Sequence, residues 1–300
     1  MAKLERSTQK KNSGPDTAEL TNALLTSPSY IKAYEDEGFM QGEDARELRL
    51  LAEYVKADST FNHRNILSTI IVFGSARILP PDVASKLLTD AESELARNPD
   101  SAKAHAAVAR AREKVTMSHY YEMARRFAEI VSEHNQIYDY DSDPTHKHYL
   151  DYVICTGGGP GIMEAANRGA YDAGGVSIGL NISLPFEQRP NPYITPDLCF
   201  QYHYFAIRKL HFMMRARALV VFPGGFGTFD ELFEGLTLRQ TGRMQALPII
   251  MFGEDFWRKC INFEYLAESG VISPEDLNLF TFVKTPDEAW TAIRDFYLKR

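Results

Sequence analysis

The amino-acid sequence has no apolar run near the roughly 18 residues that a membrane-spanning helix needs, and it has few cysteines. The three cysteines, Cys155, Cys199 and Cys260, are an odd number without the spacing of metal ligands, which predicts free thiols in a reducing cytoplasm. The chain also lacks any run of Lys and Arg, and its net charge is −7. Nucleic-acid binding is therefore disfavoured, because phosphate backbones are neutralised by clustered cations. A free nucleotide remains open as a ligand, since it needs only a few local donors.

What the sequence does contain is the composition of a globular protein. Of its 300 residues, 44% are hydrophobic and 24% are charged, which suffices for one large core with an appendage. Residues 1–15 are basic and polar and lack the apolar centre of a signal peptide, so we expect a disordered start. Residues 16 to about 55 have a polar helical pattern that is too short to form its own core. We therefore predict a disordered start and helical extension over residues 1–65, and one main domain over residues 66–300.

The main domain alternates strand and helix patterns, which predicts a doubly wound parallel sheet with helices on both faces. Continuous apolar runs are typical of strands that are buried on both faces. We predict strands at 68–73, 152–156, 176–180, 218–222, 247–252 and 279–283, and helices at 117–134, 205–215, 256–268 and 286–299, with one more from about 230. A stretch rich in Ala, Glu and Arg at about 78–115 indicates a helical insertion. Ligands of such α/β folds bind beyond the carboxyl ends of the strands.

Glycines follow two of the predicted strands at the edge where a ligand is expected. Gly74 and Ser75 come directly after the strand at 68–73. The loop after the strand at 152–156 contains Gly157, Gly158, Gly159 and Gly161. Glycine lets the backbone approach a phosphate closely, and the free N–H groups of the following helix attract anions. Glu164, three residues into that helix, either interacts with the helix dipole or faces the ligand.

The rest of the chain is organised around residues 220–237, which read VVFPGGFGTFDELFEGLT. An apolar strand leads into an amphipathic helix through a loop that contains Gly224, Gly225, Phe226, Gly227 and Thr228. Strand, glycine turn and helix form an anion-binding geometry, because the first N–H groups of a helix lack partners and the dipole makes that end partly positive. The sequence therefore predicts a phosphate site at this loop.

Two carboxylates, Asp230 and Glu231, enter the first turn of this predicted helix, although a loop that binds only phosphate would not require them. Thr228 to Glu231 also spells a capping box, in which Glu231 bonds back to the N–H of Thr228, and this structural alternative stays open. Arg208 and Lys209, at the start of the preceding helix, favour a catalytic interpretation of Glu231. A cation such as Arg208 opposes the helix dipole in a first turn and needs another reason to be there.

The polar segment at 181–196 contains four prolines and no helical pattern. Loops of this length in a compact domain usually have a function. Glu187 is the candidate ligand contact in this loop, and a solvated surface carboxylate is the equal alternative.

These residues together resemble the LONELY GUY (LOG) family. The family motif is PGG-aromatic-GT-x-x-E preceded by an Arg-Lys pair, and this chain has Arg208-Lys209 followed by PGGFGTFDE at 223–231. Longer bacterial members are similar also to FGSAR at 73–77 and GGGPGIMEAANRGA at 157–170. The resemblance covers roughly residues 66–300. Many members carry the older label lysine decarboxylase.

The resemblance implies a Rossmann-like fold and a phosphoribohydrolase, which hydrolyses the N-glycosidic bond of a nucleoside 5′-monophosphate to free base and ribose 5-phosphate. Plant-type members act on cytokinin riboside monophosphates, and several others hydrolyse AMP. Arg208 and Glu231 match the catalytic pair of the family. The substrate contacts of the family match Glu187, Lys209, the loop from Gly225 to Glu231 with Phe226 and Asp230, and Thr237. The reaction needs no metal, and no cofactor is expected. The resemblance also implies a homodimer or larger homo-oligomer. The apolar patches of the N-terminal helices and the aromatic stretch at 202–205 are the candidate surfaces, and a role in the core is equally open.

Two substitutions depart from the family pattern. Asp230 stands where the family often has a glutamate, and Met214 stands where small plant-type members have a second arginine. An aspartate keeps the charge with a shorter reach, whereas a methionine cannot bind an anion. Both changes bear on the preferred base more than on the reaction.

Three other functions fit parts of the pattern. A pyridoxal-phosphate decarboxylase would need a Schiff-base lysine, and Lys209 beside an arginine is a poor candidate. A non-catalytic nucleotide or cofactor carrier is the stronger alternative, because only Glu231 separates it from the hydrolase. An NAD-dependent dehydrogenase is disfavoured, since neither glycine loop combines a clean G-x-G-x-x-G frame with an acidic ribose-binding residue.

Overall fold

The computed structural model describes residues 16–134, 137–139, 148–185 and 189–299 of the chain. The contacts between residues divide the chain into two compact units, Met1–Ala52 and Glu53–Arg300. The disordered start predicted for residues 1–15 lies outside the described residues, and the boundary predicted at residue 65 remains a prediction. No helix in the described part of the chain is both long and apolar enough to cross a bilayer.

Helices and strands alternate through most of the second unit. In the described residues of both units, the helices are α1 Thr17–Leu25, α2 Glu37–Gln41, α3 Arg46–His63, α4 Pro81–Arg97, α5 Ala102–Glu133, α6 Ile162–Asp172, α7 Phe205–Met214, α8 Phe226–Gln240, α9 Glu254–Cys260, α10 Phe263–Glu268 and α11 Pro286–Leu298. The strands are β1 Thr69–Phe73, β2 Ile137–Asp139, β3 His148–Leu150, β4 Val153–Thr156, β5 Ser177–Ile182, β6 Cys199–Tyr202, β7 Ala216–Val221, β8 Ile249–Phe252 and β9 Phe280–Val283.

Seven strands form one parallel sheet in the order β6-β5-β4-β1-β7-β8-β9. At its centre, Ile70 of β1 pairs with Ile154 of β4 on one side and with Ala218 of β7 on the other. The chain builds outward from β1 to β6 and then returns to β7 on the opposite side of β1. Such a reversal of direction is the topological switch point at which open α/β sheets bind ligands. The predicted Rossmann-like, doubly wound α/β fold is confirmed.

Side chains of the central strands alternate between two cores, one on each face of the sheet. Ile70 and Val72 of β1 belong to one core, and Ile71 and Phe73 to the other. The helices complete these cores with Tyr121, Ile162 and Ile293 on the first face and with Phe212, Leu232 and Trp257 on the second. Each fully buried side chain of this size stabilises the fold by about 1.5–3 kcal/mol. Helices packed on both faces hold the carboxyl ends of β1, β4 and β7 in fixed positions.

The structure differs from the predicted elements in several places. The helix α5 continues without interruption through residue 115. The second part of the predicted insertion and the predicted crossover helix are therefore one helix. The predicted helix at 256–268 is two helices, because Asn262 caps α10 by accepting a hydrogen bond from the N–H of Tyr265. The sequence analysis also missed β6, a short edge strand that alternates buried and exposed residues directly after a 3₁₀ turn at Pro196–Leu198.

Candidate active site

Three loops meet at the switch point of the sheet, one after each of the strands β1, β4 and β7. The N–H of Ser75, after β1, donates to the carbonyl of Pro223, after β7, at 3.1 Å. The N–H of Ile162, at the start of α6, donates to the carbonyl of Ser75 at 3.1 Å. Parallel strands bring these loops to one edge, as the sequence analysis expected, and the two hydrogen bonds join them into one backbone surface.

Close packing of these loops depends on two glycines. Gly161 has a φ of +71°, and a Cβ added there would overlap the backbone of Ser75 and Ala76. A Cβ at Gly74 would lie 2.6 Å from the side chain of Ile162. Larger residues would therefore push the loops after β1 and β4 apart.

A buried polar network, which the sequence analysis missed, supports the loop at 157–161. The Thr156 hydroxyl accepts a hydrogen bond from the N–H of Gly158 at 3.0 Å and bonds to Asn167 at 2.7 Å. The amide nitrogen of Asn191 donates to the carbonyls of Gly158 and Gly159 at 3.2 and 3.1 Å and to Asn167 at 2.9 Å. A signal was present in the sequence, because Asn167 stands on the small-residue face of a helix that packs into the core.

The three loops enclose one side of a cavity of about 720 Å³. Eleven of the predicted site residues line it: Gly74, Ser75, Gly157, Arg208, Gly224, Gly225, Phe226, Gly227, Thr228, Asp230 and Glu231. The sequence analysis did not anticipate the apolar part of the wall, which includes Met163, Phe205 and Phe256. Polar loops on one side and aromatic rings on the other suit a ligand with a charged end and a flat apolar end.

The helix α8 begins earlier than predicted. Phe226 is its first residue and Gly225 its N-cap, so Thr228 lies inside the helix and Glu231 falls in the second turn. The predicted capping box is therefore wrong, and Glu231 is free of that structural role. Thr228 instead packs against Gly224, where any Cβ would overlap its hydroxyl. Gly225 faces open space at the cavity.

Glu231 is a buried carboxyl with an unsatisfied oxygen. The residue is 6% exposed, and its Oε2 has no hydrogen-bond partner among the described residues. Burial raises the pKa of Glu231 to about 7, against the opposing effects of the cations Lys209 and Arg208. The ammonium of Lys209 lies 4.0 Å from Oε2, close enough to attract the charge and too far to form a hydrogen bond. A carboxyl that titrates near neutral pH on a cavity wall is the pattern expected of a functional group.

Arg208 lies beside the glycine loop and is held there by a hydrogen bond and a ring contact. Its Nε donates to the carbonyl of Leu180 at 2.7 Å, and its guanidinium lies 5.0 Å from the ring centroid of Phe212. A Cβ added at Gly157 would lie 2.6 Å from Nη2, so glycine makes room for this cation. Burial lowers the pKa of Arg208, and the attraction of Glu231 opposes that shift. The close packing explains why a cation occupies the first turn of α7.

Lys209 is not among the described residues that line the main cavity. Its ammonium forms ion pairs with Asp230 at 2.9 Å and with Glu234 at 3.0 Å. Burial disfavours the charged form, but these hydrogen-bonded carboxylates outweigh burial and raise the pKa of Lys209. Lys209 and Thr237 both line a separate shallow recess of about 640 Å³ along α8.

Parts of this chain are similar to known proteins. A family model described as "Possible lysine decarboxylase" matches residues 163–293, a segment that contains Arg208, Lys209 and the PGGFGTFDE loop. Residues 163–293 are therefore similar to the LONELY GUY (LOG) family, many members of which carry that older label. The predicted family resemblance is thereby confirmed for this segment.

Two curated proteins are similar to parts of this chain. A pyrimidine/purine nucleotide 5′-monophosphate nucleosidase of Escherichia coli K12 is 32% identical over 115 residues, which are 33% of this chain and 24% of that protein. The chain therefore matches about a quarter of the length of this relative. A probable cytokinin riboside 5′-monophosphate phosphoribohydrolase of rice, Oryza sativa subsp. japonica, is 24% identical over 153 residues, which are 48% of this chain and 68% of that protein.

Solved structures show a looser similarity. A molybdenum cofactor carrier protein of Chlamydomonas reinhardtii is 15% identical and covers 78% of this chain and 99% of its own, with a TM-score of 0.43. The molybdenum cofactor binding protein of Rippkaea orientalis is 17% identical and covers 59% of this chain and 88% of its own, with a TM-score of 0.42.

The other predicted site residues, and the two departures from the family pattern, lie at different places in the chain. Glu164 accepts a hydrogen bond from the hydroxyl of Tyr121 at 2.8 Å and is not among the described residues that line the cavity. Glu187 lies outside the described residues. Asp230 and Met214, where the chain departs from the family pattern, are both exposed; 60% of the Asp230 side chain and 43% of Met214 are accessible.

Proposed function

We propose that this protein hydrolyses the N-glycosidic bond of a purine or cytokinin-type nucleoside 5′-monophosphate, giving the free base and ribose 5-phosphate. One observation carries the proposal: the unsatisfied carboxylate oxygen of buried Glu231 on the wall of a cavity that glycine loops line. The nucleotide names of the two curated relatives support the same substrate class.

The chemistry requires a carboxylate beside the ribose. Water adds its oxygen to C1′, the C1′–N bond breaks with its electrons going to the base, and the proton lost by the water balances the proton that the base takes up. The ribose carries positive charge as the bond breaks, and a nearby carboxylate stabilises that charge and orients the water. In this proposal Glu231 is the catalytic residue. Its pKa of about 7 is in the range that suits a base at neutral pH.

Arg208 favours the charged form of Glu231. Because Arg208 is fixed by Leu180 and Phe212, its attraction for the carboxylate does not depend on a mobile side chain. The 5′-phosphate is expected on the glycine loops, so that binding energy remote from the reaction holds C1′ close to Glu231. The apolar wall with Phe205 and Phe256 then accommodates the base.

Decarboxylation by a pyridoxal Schiff base is disfavoured by the surroundings of Lys209. Ion pairs to Asp230 and Glu234 hold the amine in its protonated form, whereas Schiff-base formation needs a neutral amine. A carrier function remains the alternative to hydrolysis, because the same cavity would bind a nucleotide without cleaving it.

The direct test is incubation of the purified protein with AMP and, in parallel, with a prenylated adenosine monophosphate. We expect free base and ribose 5-phosphate in equal amounts, detected by chromatography. The ratio of kcat/KM for the two nucleotides then gives the preferred base. Calorimetric binding of AMP without any release of adenine would reject the hydrolase and favour the carrier.

The rate of base release should rise as the pH increases through about 7, where Glu231 becomes ionised. The rate rises with pH because the ionised carboxylate stabilises the ribose cation, and the ionised fraction of Glu231 increases above this pKa. A kcat/KM profile measured from pH 5 to 9, values chosen to span the usual range of a raised carboxyl pKa, checks the inflection.

Two variants separate titration of Glu231 from titration of the substrate phosphate. Glu234→Gln removes a negative neighbour and should move the inflection to lower pH. Lys209→Met removes a positive neighbour and should move the inflection to higher pH. These shifts follow because Glu234 raises the pKa of Glu231 and Lys209 lowers it. An inflection that both variants leave in place would belong to another group.

We also propose a homodimer or larger homo-oligomer, as the family resemblance implies. In the aromatic stretch at 202–205, Tyr202 is a core residue at 2% exposure, whereas Phe205 is 52% exposed. Exposed apolar side chains on the same surface region support association. Light scattering of the purified protein gives the oligomeric state.

A further inference from the structure

A second recess of about 340 Å³ continues the main cavity past the glycine loops. The two spaces share five lining residues: Ser75, Arg77, Gly224, Gly225 and Phe256. The far wall of the recess is one turn of α5, from which Glu113, Lys114 and Met117 line it. The long helix that the sequence analysis assigned partly to an insertion therefore reaches the candidate active site.

Two cationic side chains without a carboxylate partner among the described residues line the recess. Arg77 and Lys114 are both exposed, and neither forms an ion pair in the described ranges of the chain. The other two cations near the cavity have partners. Arg208 is bonded to the carbonyl of Leu180, and Lys209 lies between two carboxylates. An anion at the glycine loops would therefore find its charge partners on the side of the recess.

We propose that Arg77 and Lys114 bind the 5′-phosphate of the nucleotide, with Lys114 contributed by α5 rather than by the glycine loops. This inference rests on the proposed function. Arg77 offers a planar fork of donors and Lys114 a point charge, which together suit the oxygens of a phosphate dianion. Gly225, which faces open space between the two cavities, lets the phosphate approach the backbone.

The assignment gives the nucleotide one orientation. The phosphate lies where the recess meets the Gly224–Gly225 loop, within reach of Arg77 and Lys114, and the ribose extends from there into the main cavity. C1′ then faces Glu231, whose Oε2 lacks a partner. Glu113 also lines the recess and lowers its positive charge, so it should weaken phosphate binding and favour release of ribose 5-phosphate.

The test compares AMP with adenosine, which differ only in the phosphate. In the active protein, Arg77→Gln and Lys114→Gln should each raise KM for AMP roughly tenfold, the loss expected for one charge-assisted hydrogen bond, while kcat stays within about threefold. In the Glu231→Gln background, in which base release should be slowed at least about a hundredfold, calorimetry should show that the double variant loses most of the preference for AMP over adenosine. Glu113→Gln should tighten AMP binding.

Lys103→Gln is the matched control, because Lys103 is an exposed lysine on the same helix, about 16 Å further along its axis. It should leave the affinity for AMP unchanged. A double variant that keeps the AMP-to-adenosine ratio of the parent protein would overturn the assignment. A loss of affinity for ADP without a loss of affinity for AMP would also overturn the assignment, because Arg77 and Lys114 would then bind the second phosphate. If the protein releases no base, the affinities for AMP and adenosine can still be compared. A failure of the proposed reaction is therefore distinguished from a failure of this phosphate site.

Discussion

Replacing Glu231 by Gln is expected to lower kcat for base release at least about a hundredfold, the loss typical of removing one charge-stabilising group. The amide has nearly the shape of the carboxyl but cannot become negative. It therefore cannot stabilise the ribose cation or accept a proton from water. Binding of AMP should persist in this variant, because the phosphate end of the ligand lies away from residue 231. Single-turnover release of adenine, followed by chromatography, measures the chemical step directly.

Glu234→Gln is the control for this result. Glu234 lies on the same helix α8 and, like Glu231, is close to Lys209, but it is not among the described residues that line the main cavity. Its replacement removes a carboxylate of the same cluster without changing the group beside the ribose. At a pH well above 7 it should retain most of the activity. Comparable losses in the two variants would mean that the cluster, and not Glu231, controls the rate.

Replacing Gly161 by Ala is expected to destabilise the fold by about 3 kcal/mol or more, because the change combines a disfavoured backbone conformation with a steric clash. Gly161 has φ +71° and ψ −129°, a region that residues with a Cβ rarely occupy. The added methyl group would also overlap the carbonyl oxygen of Ser75. The midpoint and slope of urea unfolding measure the loss.

Gly174→Ala separates the two causes. Gly174 follows the other end of α6 with φ +72°, and no atom lies within 4 Å of an added Cβ. This variant places a Cβ at a positive φ without the clash, so it should cost only about 1 kcal/mol. A loss at Gly161 no larger than that at Gly174 would show that the loops can separate without penalty. In that case Gly161→Ala should also leave AMP binding intact.

Local sequence patterns predicted the strands and the glycine loops well. The run at 69–73 has no polar residue after Thr69, and its burial on both faces follows directly from that pattern. The start of α8 was misplaced because Thr228 and Glu231 match a capping box locally. In the fold, Gly225 caps this helix and Thr228 packs on Gly224 instead. A rule based on residue spacing does not detect such contacts between neighbouring turns.

The short strand β6 was missed for a different reason. It is an edge strand that pairs only with β5, so its residues alternate and form no continuous apolar run. The helix α5 was divided because the sequence analysis began its crossover helix at residue 117. The structure continues one helix from Ala102, which places Lys114 at the candidate site.

The sequence by itself determined the alternation of strands, glycine turns and helices in the main domain, and with it the edge of the sheet where a ligand is expected. Turn chemistry and apolar runs are local properties, so they can be read without the fold. Only the tertiary structure decided which charges are available. Packing pairs Lys209 with Asp230 and Glu234 and leaves Arg77 and Lys114 without carboxylate partners in the described residues. The same packing buries Glu231 and raises its pKa to about 7, because desolvation depends on residues far apart in the chain.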